Sequence, residues 1–229
     1  MGFIENEERG MRRHQVKEMI ADGESDTVEF KRKCVSAEKI ARELIAFANS
    51  GGGFLLVGVD DDGKIVGVES EKTEIAVIME ACQQYIRPAI EPEIHIVNFR
   101  REDVIVVEVA ESQLKPHRLV FPDDGQDHAN YYDSVFVRQG EASVQASKEL
   151  AKVLEAQNPD AQPVTLSIGR HEKTVFEFLD SHPHITVSDF ARISKIPEPR
   201  AAKLLVRLVR AGALNINQGQ EADFYTLVG

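Results

Sequence analysis

Three carboxylates flank short apolar segments near the start of the chain. Glu24 and Glu29 are five residues apart and precede Lys31, while Asp61 follows a second apolar segment, residues 54–59. Clustered carboxylates bind divalent cations such as Mg²⁺ or Mn²⁺. If the two segments pair as strands, Glu24, Glu29 and Asp61 are predicted to share such a cation, with Lys31 contacting a phosphate. The alternative is that all three acids are solvated residues of turns and strand edges.

The elements that must position these acids can be read from the local sequence. Ser36 is a suitable N-cap for a helix over residues 37–49, which has one apolar face at helical spacing that we expect to pack on a sheet. Three glycines, residues 51–53, end this helix and allow a sharp turn into the strand. The segment Asp-Asp-Asp-Gly, residues 60–63, predicts a hairpin whose second strand is residues 64–68.

Three motifs in this region occur together. They are E-S-x-x-V-E-F-K over residues 24–31, A-F-A-N-S-x-G-G over residues 46–53, and L-x-G-V-x-D-D-G-x-I-V-G over residues 56–67. Two later stretches also fit, K-P-H at residues 115–117 and F-V-R-Q-G at residues 136–140. Over about residues 15–157 the chain resembles the bacterial Schlafen/AlbA-like DNA-binding domain family.

The resemblance implies a mixed sheet-and-helix domain and an association with nucleic acid. Some vertebrate Schlafen relatives are RNA endonucleases that use three acidic residues, and these match Glu24, Glu29 and Asp61 by motif position. Some relatives are labelled ATP-binding, but this chain has no G-x-x-x-x-G-K-[ST] loop to hold a nucleotide phosphate.

Hydrophobic periodicity predicts the remaining elements of a first domain, residues 1–158. A first helix over residues 5–22 is expected to bury Met11, Val16, Met19 and Ile20. The other predicted elements are listed by type: helices over residues 73–86 and 147–157, and strands over residues 93–99, 104–109 and 132–138. Residues 111–131 are expected to form a loop.

A linker, residues 159–169, is predicted to separate this domain from a second one, residues 170–229. The order of helix, helix-turn-helix and hairpin is typical of a winged helix-turn-helix module. Its third helix carries four basic residues three and four positions apart: Arg200, Lys203, Arg207 and Arg210. Such a stripe can bind DNA phosphates, although it can also simply solvate the helix. The predicted fold class is therefore α+β, a Schlafen/AlbA-like domain followed by a small winged helix-turn-helix domain.

Charge and composition restrict the class of function. The net charge is −11, and residues from 165 onward contribute eight Lys or Arg against seven Asp or Glu, so the acidity lies in the first domain. This argues against a broad surface for polyanions there. There is no apolar segment long enough to span a membrane, and two cysteines suit a reducing cytoplasm.

The leading hypothesis from sequence is a cytoplasmic, homodimeric, DNA-binding transcriptional regulator, with DNA favoured over RNA and no membrane partner. It requires no cofactor, and strands such as residues 104–109 are expected to supply the dimer surface. The first alternative is a metal-dependent endoribonuclease with Glu24, Glu29 and Asp61 around Mg²⁺ or Mn²⁺. A protein-interaction adaptor is the second alternative.

Overall fold

The computed structural model describes residues 11–122, 134–161, 167–219 and 221–228. Seven α-helices occur among these residues: α1 (Arg13–Asp22), α2 (Ala37–Asn49), α3 (Glu71–Glu80), α4 (Lys148–Gln157), α5 (Arg170–Leu179), α6 (Val187–Ser194) and α7 (Glu198–Arg210). The strands are β1 (Val28–Lys31), β2 (Gly53–Val57), β3 (Ile86–Arg87), β4 (Glu93–Phe99), β5 (Glu102–Val109), β6 (Arg118–Leu119), β7 (Ser134–Gln139), β8 (Ala142–Gln145), β9 (Ile185–Thr186), β10 (Leu214–Asn217) and β11 (Phe224–Leu227). No helix among the described residues is long and apolar enough to cross a membrane.

The described residues divide into two compact units. One is drawn from residues 1–112 and 117–145, and the other from residues 113–116 and 146–229. Helix α4 belongs to the second unit, where it packs against α7, whereas the sequence placed it at the end of the first domain. The predicted boundaries at residues 158 and 170 stay a prediction.

The first unit contains two four-stranded sheets with α2 between them. One sheet has the order β1-β2-β5-β4, with β1 and β2 parallel and the other pairs antiparallel. The second has the order β3-β6-β7-β8. Helix α2 contacts β2 and β5 of the first sheet and β6, β7 and β8 of the second.

This position explains the composition of α2. Ser36 caps it as expected, because its hydroxyl accepts a hydrogen bond from the Lys39 amide at 3.3 Å. Nine of its thirteen residues are buried, and the predicted apolar face packs with Leu55 and Val57 of β2 in one buried cluster, as expected. Contacts with the second sheet extend the buried surface further round the helix, and alanines let the two sheets approach closely.

The other face of the first sheet is covered in part by α1. Val16 is fully buried in a cluster with Val28, Phe30 and Leu56, and Met11, Met19 and Ile20 pack against that cluster. The predicted buried side of the first helix is therefore confirmed. Its predicted start at residue 5 lies outside the described residues.

Two predicted elements differ from the structure near residues 58–68 and 73–86. The return strand of the expected hairpin is reduced to one bridge, between Val59 and Ile65. Gly58 and Gly67 have positive φ angles of 101° and 71°, so the backbone cannot stay extended through this segment. Helix α3 begins at Glu71 and ends at Glu80, followed by one π-helical turn, Ala81–Tyr85.

The predicted strand over residues 104–109 forms as part of β5, but its expected role in pairing two copies was wrong. Strand β5 lies between β2 and β4, so both of its edges already have hydrogen-bonding partners. The predicted strand over residues 93–99 is confirmed, and the hairpin predicted near the end of the second domain forms as β10 and β11. The predicted strand at residues 132–138 starts outside the described residues.

The glycines after α2 differ sharply in their surroundings. A Cβ at Gly53 would lie 2.3 Å from the buried Phe47 ring and 2.7 Å from the Thr27 carbonyl oxygen. We expect Gly53→Ala to lower the free energy of unfolding by about 1–3 kcal/mol, the usual effect of overpacking. Gly51→Ala is the matched control, because nothing lies within 4 Å of its Cβ position. Urea denaturation measures both variants, and equal stabilities would contradict this packing argument.

Candidate functional site

Glu29 lies near the middle of β1, opposite Leu55 of β2. Alternation along the strand directs Glu29 and Lys31 to the face that α2 covers, and Glu29 is 7% exposed. Its Oε1 forms an ion pair with Lys31 Nζ, and Glu43 Oε1 of α2 lies 3.8 Å from the same nitrogen. The carboxylate that the sequence singled out is therefore held in a contact between a strand and the central helix.

Arg138 reaches this contact from β7 of the second sheet. Its Nη1 donates to Glu29 Oε2 at 3.0 Å and to Glu43 Oε2 at 3.3 Å. Its Nη2 donates to the carbonyl oxygens of Ser25, at 2.6 Å, and Glu141, at 2.9 Å. The Arg138 side chain is 1% exposed, so its charge is stabilised almost entirely by these groups.

We call the group of Glu29, Lys31, Glu43, Arg138 and Ser143 the Arg138 cluster, and the Phe47 ring packs against it. Ser143 of β8 donates a hydrogen bond to Glu43 Oε2 and accepts one from Arg138 Nη1 at 3.0 Å. The Phe47 ring of α2 lies under the guanidinium, with its centroid 4.8 Å from Cζ, a cation–π arrangement. The cluster thus links both sheets to the helix between them.

Burial and pairing act against each other on the charges of this cluster. Burial raises the pKa of Glu43, and the nearby Glu29 adds to that rise, while Ser143 and the two cations oppose it. Burial lowers the pKa of Lys31, but the hydrogen bond to Glu29 and the acidic charges of Glu43, Glu29 and Glu24 outweigh it and raise the pKa overall. With two carboxylates and two cations, the cluster is formally neutral when all four are ionised.

Glu24 lies beside the Arg138 cluster, close enough for its charge to act on Lys31. Its Oε1 accepts a hydrogen bond of 2.8 Å from the Phe30 amide of β1. Because β1 is an edge strand of its sheet, Glu24 satisfies a backbone donor on the side of β1 away from β2. The Glu24 carboxylate thus closes the loop that leads into the strand.

Asp61 lies in an exposed turn beyond the end of β2. The adjacent Asp60 orders this turn, because its side chain accepts a hydrogen bond from the Lys64 amide at 2.9 Å. The parallel pairing of β1 and β2 puts Asp61 past the carboxyl end of the strands. Glu24 precedes β1 in sequence, but its carboxylate reaches the Phe30 amide near that same end. The strands therefore pair as the metal hypothesis required.

The potential ligand atoms of Glu24, Glu29 and Asp61 do not all lie within 4.8 Å of one another. Within residues 11–122, 134–161, 167–219 and 221–228, one group of three residues has potential ligand atoms all within 4.8 Å of one another, namely Glu93, His95 and Glu108. It contains none of Glu24, Glu29 and Asp61. Glu29 is instead paired with Lys31 and Arg138, so the role of these acids in metal binding or catalysis stays a prediction.

The basic stripe of α7 has the predicted spacing on a helix of the second unit. Arg200, Lys203 and Arg210 are exposed. Arg207 is half-buried, and its Nη2 lies 4.0 Å from Glu172 Oε1 of α5. Part of the Arg207 charge is therefore offset within the unit, while Arg200 and Lys203 present their charges on the exposed side of the helix.

Sequence reasoning missed Glu43 and Arg138 as members of a site. Arg138 was noted within F-V-R-Q-G, and a signal was present there, since a charged residue follows the apolar residues of a strand that proves buried. Glu43 gave a comparable signal, because it lies among the apolar residues of α2. What the sequence could not show is that these two residues, 95 positions apart, meet.

Comparison with solved structures found distant neighbours. The DIP2311 protein from Corynebacterium diphtheriae matches at 19% identity with a TM-score of 0.47, and the match covers 92% of this chain and 37% of that one. The N-terminal domain of a RecG-related protein from Nitrosomonas europaea matches at 23% identity with a TM-score of 0.42, covering 68% of this chain and 94% of that domain. The chain thus spans little more than a third of the DIP2311 chain. No curated protein gave a match.

The first part of the chain matches the model of one protein family. The model for "Schlafen, AlbA_2" matches residues 24–147, more than half of the chain. The match begins at Glu24, includes β1 and the Arg138 cluster, and ends at the residue that caps α4. It agrees with the resemblance derived from the three motifs, and the chain belongs to the Schlafen, AlbA_2 family.

Proposed function

We propose that this protein binds duplex DNA through its C-terminal unit and acts as a transcriptional regulator. The observation that carries the proposal is the exposed basic stripe of α7. Family membership supports a nucleic-acid-related function in general. DNA is favoured over RNA because the second unit resembles a module that presents a helix to the major groove.

The order of elements supports a winged helix in this unit. Helix α5 is followed by α6 and α7 and then by the β10–β11 hairpin, and the three-stranded sheet has the order β10-β11-β9. A short turn joins α6 to α7, with Lys195 in the left-handed conformation that often ends a helix. In this proposal α7 is the recognition helix and the hairpin is the wing.

The hydrophobic core of the unit holds α7 in a fixed position. Leu205, Leu208, Phe190 and Tyr225 are buried together, so the inward face of α7 is fixed by packing. The stripe residues occupy positions offset from these by helical spacing. A rigid helix that presents cations outward loses little conformational freedom on binding a phosphate backbone.

A homodimer remains part of the proposal. Two copies of one recognition helix on a two-fold axis would read two half-sites and increase the buried interface. The acidic character of residues 1–164 favours the first unit for contacts between copies rather than for contacts with DNA. A dimer would also double the number of α7 stripes that reach one duplex.

Replacement of two stripe residues tests the DNA interface. We expect Arg200→Ala with Lys203→Ala to weaken duplex binding roughly 10- to 100-fold at moderate salt, because each lost phosphate contact removes about 0.9 from the log–log salt slope. Fluorescence anisotropy over a salt series measures both quantities. Arg170→Ala with Lys173→Ala is the charge-matched control, since both residues are exposed on α5.

The same samples distinguish the alternative functions. An unchanged slope in the stripe variant, or an equal loss in the control, would contradict the proposed interface. Cleavage of labelled tRNA that requires Mn²⁺ and stops with EDTA would select the endoribonuclease. Failure of the unmodified protein to bind either nucleic acid would select the protein-interaction adaptor.

A further inference from the structure

A second cluster of ionisable groups lies on the first sheet, away from the Arg138 cluster. Glu93 and His95 are two residues apart on β4 and therefore project from the same face. Glu108 of β5 is directly opposite Glu93 in the antiparallel register. Three potential metal ligands thus meet at one end of the β4–β5 pair, on secondary structure rather than on loops.

The geometry within this group is close. His95 Nε2 lies 3.5 Å from Glu108 Oε2 and 3.9 Å from Glu93 Oε2, and the potential ligand atoms of the three residues all lie within 4.8 Å. Ligands about 2.0–2.2 Å from a tetrahedral zinc ion are themselves separated by roughly 3.3–3.6 Å. The observed separations therefore need only small rotamer changes to close around one ion.

His95 supplies an observation independent of the two acids. Its side chain is 15% exposed, and its Nε2 atom is buried without a hydrogen-bond partner among the described residues. Buried polar atoms normally have a partner. This nitrogen lies between two carboxylates, so a cation bound there would give it the partner that it lacks.

Repulsion between the two carboxylates is a second physical reason to expect a cation at this position. Like charges directly opposite each other on paired strands destabilise a sheet, and no Lys or Arg is paired with Glu93 or Glu108 among the salt bridges of the described residues. Glu108 is 42% exposed and Glu93 is 79% exposed. A divalent cation would neutralise the pair, and the exposure of Glu93 leaves a path for it to enter.

We propose that Glu93, His95 and Glu108 form a binding site for a first-row divalent transition-metal ion, with Zn²⁺ as the probe that fits best. Imidazole favours Zn²⁺ and its neighbours over Mg²⁺ and Ca²⁺, which prefer oxygen ligands alone. Three protein ligands leave at least one coordination position for water or for a further ligand. The site is separate from the acids that the family resemblance singled out.

Isothermal titration of Zn²⁺ into the full chain, purified without a histidine tag, tests the site. The expected result is one ion per chain, with binding weakened at least tenfold by His95→Gln and by Glu108→Gln, since loss of a ligand removes a metal bond. His184→Gln and Glu102→Gln are the matched controls, because both residues are exposed and outside the group. They should bind Zn²⁺ as the unmodified chain does.

The Glu93→Gln variant separates the loss of a metal ligand from a loss of folding, because this largely exposed side chain contributes little to packing. It is expected to weaken Zn²⁺ binding several-fold without lowering the melting temperature in the absence of metal, since the change also removes the repulsion between Glu93 and Glu108. Substitution with Co²⁺ gives a second readout, visible absorption bands that His95→Gln abolishes. Absence of one-site binding, or unaltered binding by both His95→Gln and Glu93→Gln, would overturn the proposal.

Discussion

Replacing Arg138 by methionine is expected to lower the free energy of unfolding by about 3–5 kcal/mol, the usual effect of removing one partner from a buried ion pair. The side chain is 1% exposed and contacts both Glu29 and Glu43. Without it, Lys31 alone faces two buried carboxylates, and the carbonyls of Ser25 and Glu141 lose their donor. Urea denaturation near neutral pH measures the change.

Two further variants separate the charge effect from the loss of a large side chain. Arg101→Met removes the same groups from an exposed turn and should change the stability by less than about 0.5 kcal/mol. Adding Glu43→Gln to Arg138→Met leaves the ion pair of Glu29 with Lys31, removes the one uncompensated charge and should recover part of the loss. A small loss in Arg138→Met, or no recovery in the double variant, would contradict the account of the cluster as an ionic link.

Short sequence patterns were sufficient to predict the elements whose limits depend on residues close by in sequence. Helix α2 begins and ends where Ser36 and the glycines predict, because capping and backbone freedom act within a few residues. Strands β4, β10 and β11 also formed as predicted. Their apolar residues and the turns that bound them set the extent of each strand without reference to distant partners.

Long-range pairing was not accessible in the same way. The apolar residues of α2 indicated burial but not a second sheet, because the strands that form that sheet are distributed from residue 86 to residue 145. The same limit applies to Glu29 and Arg138, which are 109 positions apart. Which charged residues meet in a core depends on topology, and hydrophobic periodicity does not encode it.

The surroundings of the predicted metal ligands depend on tertiary contacts that local sequence does not encode. Glu24, Glu29 and Asp61 are placed by two strands whose pairing was anticipated without its direction. With parallel pairing, Asp61 follows β2, the Glu24 carboxylate accepts a hydrogen bond from the Phe30 amide, and Glu29 is engaged by cations. One of those cations, Arg138, is 109 positions from Glu29, so the sequence could not show this pairing.

Asn49, the last residue of α2, is the buried polar group that ties the helix to the second half of its unit. Its Nδ2 donates to the carbonyl oxygens of His117, at 2.9 Å, and Phe136, at 3.0 Å, and its Oδ1 accepts from the His117 amide at 2.7 Å. The residue is 2% exposed. Asn49→Ala is expected to lower the free energy of unfolding by roughly 2–5 kcal/mol, because it removes one side-chain partner from each of three backbone groups at a buried site.

Asn49→Asp keeps the size of the side chain but replaces the Nδ2 donor by a carboxyl oxygen that donates only when it is protonated. The effect on stability must therefore depend on pH. An ionised carboxylate would face two carbonyl oxygens with no proton to donate, and burial adds to the penalty, so the pKa of the new carboxyl in the folded state is expected to rise well above its unfolded value of about 3.9. Below the unfolded pKa the group is protonated in both states and donates to one carbonyl, so the variant is least destabilised there. As the pH rises towards the folded pKa, the unfolded state releases its proton first, so the free energy of unfolding of the variant falls further below that of the unmodified protein.

Urea denaturation from about pH 4 to pH 8 measures this difference in free energy of unfolding, which should widen as the pH rises. Asn215→Asp on the exposed face of β10 is the control and should show a nearly constant difference. A difference for Asn49→Asp that stayed constant across this range would mean that the amide is not the donor that joins α2 to Phe136 and His117.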